Sequence, residues 1–272
     1  MKYSIGEFAE ILGVTVDTLR LYERQGIIKP IKDHRNNYRY FDDLDARNLL
    51  MSRWYRSMQI PLQDVSGLTK EACLEDIIGK IGTMELNLKE EIRKSTMLLN
   101  KLTEINNGIR GIEAALNKCI IKKTPGLYRL KQTQRNTLLT DDFLREMVSK
   151  WMNMLPFAFY SFRIGSREFT SRESCLEYNW GIAISEEEIG NFDVEINEHI
   201  EYISPRTCVS AVIPSPHREY ILADSLQFML DYIKENNYCI VDDIIGRIIV
   251  TEKVNYQSRS YLEVNIPIRS DE

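Results

Sequence analysis

The sequence predicts an α+β chain with three successive parts. Two short helices with capping signals come first and are followed by a small aromatic hairpin. A heptad repeat of apolar residues then runs from Ile77 to Leu116, and the remaining sequence repeats the order strand, helix, strand, strand twice. These observations predict a domain of small helices, a long dimerisation helix and a duplicated βαββ domain.

Composition excludes several classes of protein. The chain has 272 residues, 43% of them hydrophobic and 28% charged, and no apolar run reaches the roughly 20 residues of a membrane span. The N-terminus lacks the features of a signal peptide, so we expect a cytoplasmic protein whose five dispersed cysteines stay reduced. Without a CxxC pair and with three histidines, no structural metal and no cofactor are expected.

Charge is unevenly distributed along the chain. The net charge is -5 overall, but residues 1–62 carry +2, residues 63–121 carry -1 and residues 122–272 carry -6. Contact with a polyanion is therefore expected at the N-terminal end.

The first two helices have clear start and stop signals. Ser4 and Glu7 form a capping box before one helix, which ends at Gly13, and Thr15 caps a second helix, which ends near Gly26. A pair of short helices joined by a glycine-containing turn predicts a helix-turn-helix, although many folds contain such a hairpin.

A small β wing follows this helix pair. Asn36-Asn37 signals a turn before the alternating Tyr38-Arg39-Tyr40. Asp42 or Asp43 then caps a helix to about Met58, and Pro61 starts another short helix. Residues 1–76, here called the head, are therefore predicted to form a winged helix-turn-helix.

The heptad segment predicts a helix of 40 residues that dimerises as an antiparallel pair. The a positions are Ile81, Leu88, Ser95, Leu102, Ile109 and Leu116, and the d positions are Ile77, Met84, Glu91, Leu98, Ile105 and Ile112. Ten of these twelve are apolar, and the chain offers no second helix of that length to cover them. Packing of the helix on its own domain is the alternative, and Gly108 and Gly111 favour a kink near its end.

The segment from Lys122 to Gly126 interrupts the helical pattern, which gives predicted domains of 1–76, 77–119 and 120–272. Each half of the third domain contributes three strands and one helix. Two helices would lie on one side of a curved antiparallel sheet, with a cleft where the halves meet.

In this order, the head resembles the MerR family of bacterial transcription activators. The resemblance rests on the segment from Thr18 to Pro30, which is similar to the family's recognition helix and its exit, and on Tyr38-Arg39-Tyr40 in the wing. Leu21 and Asn37 depart from the family pattern. The tail is similar to the GyrI-like effector-binding domain over Leu226–Tyr238, Val241–Gly246 and Tyr261–Ile268.

The resemblance implies a homodimer that binds promoter DNA, senses a small lipophilic effector and distorts the DNA so that RNA polymerase can engage it. The effector would be aromatic or cationic, and the regulated gene would serve multidrug resistance or efflux. A recognition helix would enter the major groove while the wing contacts the phosphate backbone. The expected DNA-binding residues are Ser4, Thr15, Thr18, Arg20, Tyr22, Arg24, Tyr38, Arg39 and Tyr40. Arg20 has an alternative partner in Asp17 or Glu23.

Aromatic residues are abundant in the tail and suit a pocket for flat or cationic ligands. By resemblance the expected ligand-binding residues are Tyr178, Tyr220 and Tyr261, followed by Trp151, Tyr160 and Trp180. For each ring taken singly, ordinary core packing is the alternative.

Gly246 stands where multidrug sensors of this type carry a glutamate that attracts the cationic drug. Three alternatives follow: another acid such as Glu146, Glu177 or Asp243 turns inward, the pocket relies on aromatic contact alone, or the ligand is not cationic.

An enzyme is the competing class, because some GyrI-like domains are thought to hydrolyse small molecules. The missing acid at Gly246 and the absence of a Ser/His/Asp or Cys/His grouping argue against catalysis. A metal sensor using Cys73 and Cys119 has no third ligand in the sequence.

Overall fold

The computed structural model of the protein describes residues 2–33, 38–134, 137–166, 175–215, 221–254 and 256–270. The chain divides into two compact units, Met1–Thr96 and Met97–Glu272. The three predicted domains, with boundaries at residues 76 and 119, stay a prediction.

The first unit combines short helices with a small antiparallel sheet. Its elements are β1 (Tyr3–Ser4), α1 (Ile5–Leu12), α2 (Val16–Arg24), β2 (Ile31–Lys32), β3 (Arg39–Phe41), α3 (Asp43–Ser57) and α4 (Leu62–Lys70). The strand order is β1-β3-β2, so the wing strands β2 and β3 pair as expected. The predicted turn at Asn36-Asn37 lies outside the described residues.

The predicted helix starts are confirmed. The Ser4 side chain accepts from the Glu7 backbone N–H in a complete capping box, and the Thr15 hydroxyl accepts from the Thr18 N–H. Asp42 caps α3 in the same way, and Gly13 ends α1 in the left-handed region with φ of 60°. Each of these caps joins residues no more than three positions apart in the sequence.

The core of the first unit gathers apolar residues from every helix and the central strand. Its fully buried members include Phe8, Leu19, Ile28, Phe41, Leu49 and Ile60. Phe8 and Phe41 stack with ring centroids 4.7 Å apart, which joins α1 to β3. Each such side chain contributes about 1.5–3 kcal/mol through burial.

The long helix is shorter than the heptad pattern predicts. Helix α5 spans Leu74–Arg110, and α6 (Ile112–Ala115) follows after Gly111. Two predicted seam residues, Ile77 and Met84, pack against the core of the first unit, so this part of the seam is already covered. A continuous apolar seam over 40 residues is therefore wrong, and the exposed part lies further along the helix.

The second unit is built on a large antiparallel sheet. Its elements on the sheet and around it are β4 (Ile120–Thr124), β5 (Leu127–Lys131), β6 (Thr133–Gln134), β7 (Thr137–Leu138), α7 (Asp142–Met152), β8 (Phe159–Ile164), β9 (Cys175–Leu176), β10 (Tyr178–Ser185), α8 (Glu186–Ile189), β11 (Ile200–Ile203), β12 (Arg206–Ser215), β13 (Ile221–Leu222), α9 (Gln227–Glu235), β14 (Tyr238–Ile240), β15 (Ile244–Val254) and β16 (Gln257–Ser270). The strand order is β11-β5-β10-β8-β15-β16-β12-β4, and β14 also pairs with β16.

The duplicated order of elements appears as two halves that meet at the β8–β15 pair. β5, α7, β8 and β10 form one half, and β12, α9, β15 and β16 form the other. In the second half, two strands, β14 and β15, lie between α9 and β16, where the predicted order has one. The helical pattern ends before Lys122–Gly126, as predicted. Residues 122–124 of this segment are part of strand β4 and pair with β12.

The two faces of this sheet differ in chemistry. Alternate residues such as Phe162, Leu262 and Val264 point toward the helices and form apolar cores with α7 and α9. The opposite face, here called the polar face, carries Arg129, Ser161, Arg163, Ile245, Arg247, Glu263 and Asn265. The position of a side chain along a strand therefore determines whether it packs into an apolar core or lies on the polar face.

Candidate functional site

Three arginines of the first unit share one surface. Arg20 and Arg24 lie on α2, Arg39 lies on β3, and together with Asp17 and Glu23 they line one concave region. The strand reaches the helix because β3 pairs between β1 and β2 and packs Phe41 into the core. This surface combines the expected recognition helix with the expected wing.

Two ion pairs organise the arginine surface. The Arg39 Nε lies 2.9 Å from both carboxylate oxygens of Glu23, and the Arg20 Nη1 lies 3.1 Å from Asp17 Oδ1. The expected partnership of Arg20 with Asp17 is thus present, whereas Glu23 is engaged by the wing. All four side chains remain accessible to solvent, so a phosphate could compete for either arginine.

The other expected DNA-binding residues fall into three environments. Ser4 and Thr15 serve as helix caps, and the Thr18 hydroxyl lies 2.9 Å from that of Thr15. Tyr38 is exposed and Tyr40 is half-buried. Their contacts with DNA stay predictions.

Tyr22 requires a correction. Only 7% of its surface is exposed, because residues 19 and 22 share the inner face of α2 and Tyr22 packs into the core with Leu19. Tyr22 is therefore part of the core and does not line the concave arginine surface.

The expected pocket residues of the second unit that the structure describes lie in different environments. Tyr178 and Trp180 alternate in step with Phe162 and face the helices, where Trp180 makes edge contacts with both rings at 5.4 and 5.6 Å. Trp151 lies on α7 and is 1% exposed in the core between this helix and the sheet.

The remaining three aromatic candidates are also separate. Tyr160 is half-exposed on the helix side of β8, with its hydroxyl 3.8 Å from the sulfur of Met152. Tyr261 lies on the polar face and donates to Glu252 at 2.8 Å. Tyr220 lies outside the described residues. Binding of an effector by these six residues stays a prediction.

A cleft lies instead on the polar face. One cavity of about 350 Å³ is lined by Lys122, Phe159, Arg247 and Glu263, and an adjoining cavity of about 210 Å³ is lined by Arg163, Arg206 and Asp243. Both cavities share Thr124, Pro125, Leu127, Ile245 and Asn265. Charged side chains therefore outnumber aromatic ones in the lining of the cleft.

Glu263 is the central acid of this cleft. Its side chain is 14% exposed, it forms an ion pair with Lys122, and it accepts from Arg247 Nε at 2.6 Å. Burial raises the pKa of Glu263, but the positive charges of Arg247 and Lys122 outweigh this effect and hold the pKa below its ordinary value. The carboxylate is therefore ionised and bound by two cations.

A second network occupies the neighbouring strands. The fully buried guanidinium of Arg129 donates to Ser161 Oγ at 2.8 Å, to Glu201 at 2.9 Å and to both oxygens of Asn179 at 2.6 and 3.0 Å. Burial lowers the pKa of Arg129, although Glu201 opposes this shift. The interior charge is stabilised because each of these donors has an acceptor.

Asp243 completes this network at the edge of the cleft. It accepts from Arg163 Nε at 2.8 Å and from the Ser166 N–H at 2.8 Å. Burial raises the pKa of Asp243, but these two hydrogen bonds and the charge of Arg163 bring it below the ordinary value. Of the three acids proposed to replace the missing glutamate, Asp243 lines the cleft, whereas Glu146 pairs with Lys150 on the exposed side of α7.

Gly246 itself cannot carry an acid into the cleft. A Cβ there would lie 2.0 Å from Phe162 Cζ and 2.6 Å from the Glu263 carbonyl oxygen, and it would point toward the helices. Glu263 is absent from the predicted site residues, because the resemblance to multidrug sensors pointed to the single position of Gly246. The available signal was alternation: Glu263 stands between the apolar Leu262 and Val264, so it faces away from the core.

Within the described residues, no group of three His, Cys, Asp or Glu side chains could hold a metal ion. Cys73, Cys119 and Cys208 are free thiols. Among the described helices, none has the length and apolar character needed to cross a membrane.

Residues 4–41 match the model of the MerR family regulatory protein. The chain is 27% identical over 117 residues to the HTH-type transcriptional activator TipA of Streptomyces coelicolor, which is 38% of this chain and 46% of that protein. It is 36% identical over 64 residues to the HTH-type transcriptional regulator ZntR homolog of Haemophilus influenzae, which is 24% of this chain and 47% of the relative. The chain thus spans about half the length of these relatives.

Among solved structures, the chain is similar to EcmrR in a cryo-EM structure of an EcmrR–DNA complex, with 16% identity, a TM-score of 0.38 and coverage of 98% of this chain and 100% of that chain. The family match rests on the sequence of the helix-turn-helix and wing, where the capped helices and the paired wing strands are in place. Over residues 4–41, the chain is therefore similar to the MerR family of regulatory proteins.

Proposed function

We propose that the protein is a DNA-binding transcription regulator that binds promoter DNA as a homodimer and responds to a small organic effector held by its second unit. The observation that carries this proposal is the shared surface of Arg20, Arg24 and Arg39, which joins the second helix of the helix-turn-helix to the wing. Guanidinium groups bind phosphate oxygens well, and a helix with an adjacent hairpin fits a groove and its flanking backbone.

Dimerisation is supported by the apolar side chains that remain exposed on α5. The exposed seam positions are Leu88, Leu98, Leu102 and Ile109. An unpaired row of this kind favours a second copy of the helix, and two heads would then bind two half-sites.

The effector role is supported by the cleft on the polar face, whose two adjoining cavities are large enough for a small organic molecule. Activation by distortion of the promoter and engagement of RNA polymerase follow from the MerR resemblance. Control of a resistance or efflux gene, and sensing of a lipophilic compound, are proposals of the same origin. The aromatic positions in the described structure do not add support to a cationic aromatic effector.

The DNA-binding role can be tested without knowledge of the operator. The full-length chain is used to select sequences from a random duplex pool, and the affinity for the enriched duplex is measured by fluorescence anisotropy. We expect an enriched inverted repeat and a large loss of affinity in the triple variant Arg20→Ala, Arg24→Ala, Arg39→Ala. Arg259→Ala, an exposed arginine on β16, is the matched control. Failure to enrich any sequence, or full affinity in the triple variant, would reject the proposal.

A further inference from the structure

Two cations and one carboxylate form an ion-pair cluster in the larger cavity of the cleft. Lys122 and Arg247 both bind Glu263, so two positive groups share one negative group. Lys122 and Arg247 are 36% and 38% exposed, whereas Glu263 is 14% exposed. Of these three groups, the two cations are therefore more accessible to an incoming ligand than the carboxylate.

A cationic ligand would find few partners at the floor of this cavity. The aromatic ring that lines it, Phe159, already has the Arg247 guanidinium 5.5 Å from its centroid. Glu263 is occupied by its two cations. The rim residues Glu104 and Glu188 both bind Lys101, which is 8% exposed. Glu187 is the exposed acid at the mouth, where water screens its charge.

An apolar hollow adjoins the same ion pair. A cavity of about 280 Å³ between α6 and strands β4 and β12 is lined by small and branched side chains together with Lys122 and Glu263. The apolar lining includes Ala114, Ala115, Ile120 and Val212. Lys122 and Glu263 therefore stand at the boundary between a charged cavity and an apolar one.

We propose that this cleft binds an organic acid, with its carboxylate on Lys122 and Arg247 and its apolar body in the hollow beside α6. This inference rests on the proposed effector role of the second unit. The cluster of Lys122, Arg247 and Glu263 carries a net charge of +1, and an incoming carboxylate brings it to zero while Glu263 keeps its two partners. An incoming cation would have to separate Glu263 from both cations and would leave them unpaired, which is costly in a partly buried site.

The charge preference is tested with three probes of one shape. The full-length protein is titrated by calorimetry with 2-naphthoate, 2-naphthylmethanol and 2-naphthylmethylammonium. We expect 2-naphthoate to bind more tightly than the ammonium compound by about tenfold or more, with the alcohol between them. Equal or tighter binding of the ammonium compound, or no binding of naphthoate at millimolar concentration, would overturn the proposal.

Two substitutions test where the ligand binds and which ligand charge the site prefers. Lys122→Met should weaken naphthoate binding by about tenfold, since it removes one charge-assisted contact. Lys123→Met is the matched control, because Lys123 is its exposed neighbour on β4 and does not line the cavities. Glu263→Gln should strengthen naphthoate binding, because the competing carboxylate is gone, whereas a cation site at Glu263 would be weakened. Circular dichroism and thermal melting confirm that each variant folds.

A decrease of naphthoate affinity in Glu263→Gln, or equal effects of the two lysine substitutions, would contradict the site. DNA affinity is measured on the same samples. Normal DNA binding without naphthoate binding rejects the organic-acid inference alone, whereas tight naphthoate binding without DNA binding rejects the proposed regulator.

Discussion

The Arg39 Nε lies 2.9 Å from both carboxylate oxygens of Glu23, so the wing is joined to the second helix of the helix-turn-helix by an ion pair on the protein surface. The pair orders the wing strand against the helix while keeping the guanidinium accessible to solvent. A DNA phosphate that approaches this surface meets an arginine whose position is already set.

Removal of Arg39 should reduce the salt dependence of DNA binding. In a dimer, Arg39→Ala removes two phosphate contacts, which lowers the slope of log affinity against log salt by about 1.8. The slope is measured by anisotropy over a salt series on the selected duplex. Arg259→Ala should leave the slope unchanged. If Arg39→Ala retains both slope and affinity, the wing does not contact the backbone.

Charges placed on the exposed seam of α5 should separate the dimer. Leu102 and Ile109 are 51% and 39% exposed, and burying two lysines per helix at their positions would be unfavourable. We expect Leu102→Lys with Ile109→Lys to sediment as a monomer and to lose DNA affinity. The control double variant, Asn100→Lys with Asn107→Lys, adds the same charge on the opposite side of the helix and should remain dimeric. Dimeric sedimentation of the seam variant would show that another surface joins the subunits.

A methyl group at Gly246 should destabilise the second unit. Because the new Cβ would overlap the buried Phe162 ring, we expect Gly246→Ala to cost about 1–3 kcal/mol of unfolding free energy. Chemical denaturation measures the difference. Gly190→Ala is the control, since no heavy atom lies within 4 Å of its Cβ. Equal stability of the two variants would mean that Phe162 moves aside without cost.

Lowering the pH should reduce the free energy of unfolding, partly because Glu263 becomes protonated. Its pKa in the folded protein is below the unfolded value of about 4.3, so its contribution to stability is complete above that pH and is lost as pH falls through the folded pKa. The wild type should therefore lose more unfolding free energy than Glu263→Gln between about pH 6 and pH 3. Denaturant titrations at both pH values test this. An identical loss in both proteins would show that the ion pairs of Glu263 contribute nothing to the acid response.

The features that the sequence predicted well depend on neighbours in the chain. Ser4 with Glu7, Thr15 and Asp42 are capping signals that act within three residues, and each caps a helix in the structure. The end of α5 was predicted too late, because the heptad pattern continues past Gly111 although the helix does not.

The residues that line the cleft are brought together by the register between neighbouring strands. The sequence of a single strand does not reveal this register. Tyr178 and Trp180 were natural pocket candidates by residue type, yet their register with Phe162 turns them toward the helices. Glu263 and Arg247 come together only because β15 and β16 pair residue 247 with residue 263. Lys122 then arrives from a strand more than a hundred residues away in sequence.

Arg129 has a consequence for the cooperativity of the second unit. It lies on β5, and its partners Ser161, Asn179 and Glu201 lie on or beside three other strands. Detaching any one of these strands would leave part of a buried guanidinium without an acceptor, at a cost of several kcal/mol. The four strands should therefore open together in native-state hydrogen exchange, as one unit that is protected to a common free energy.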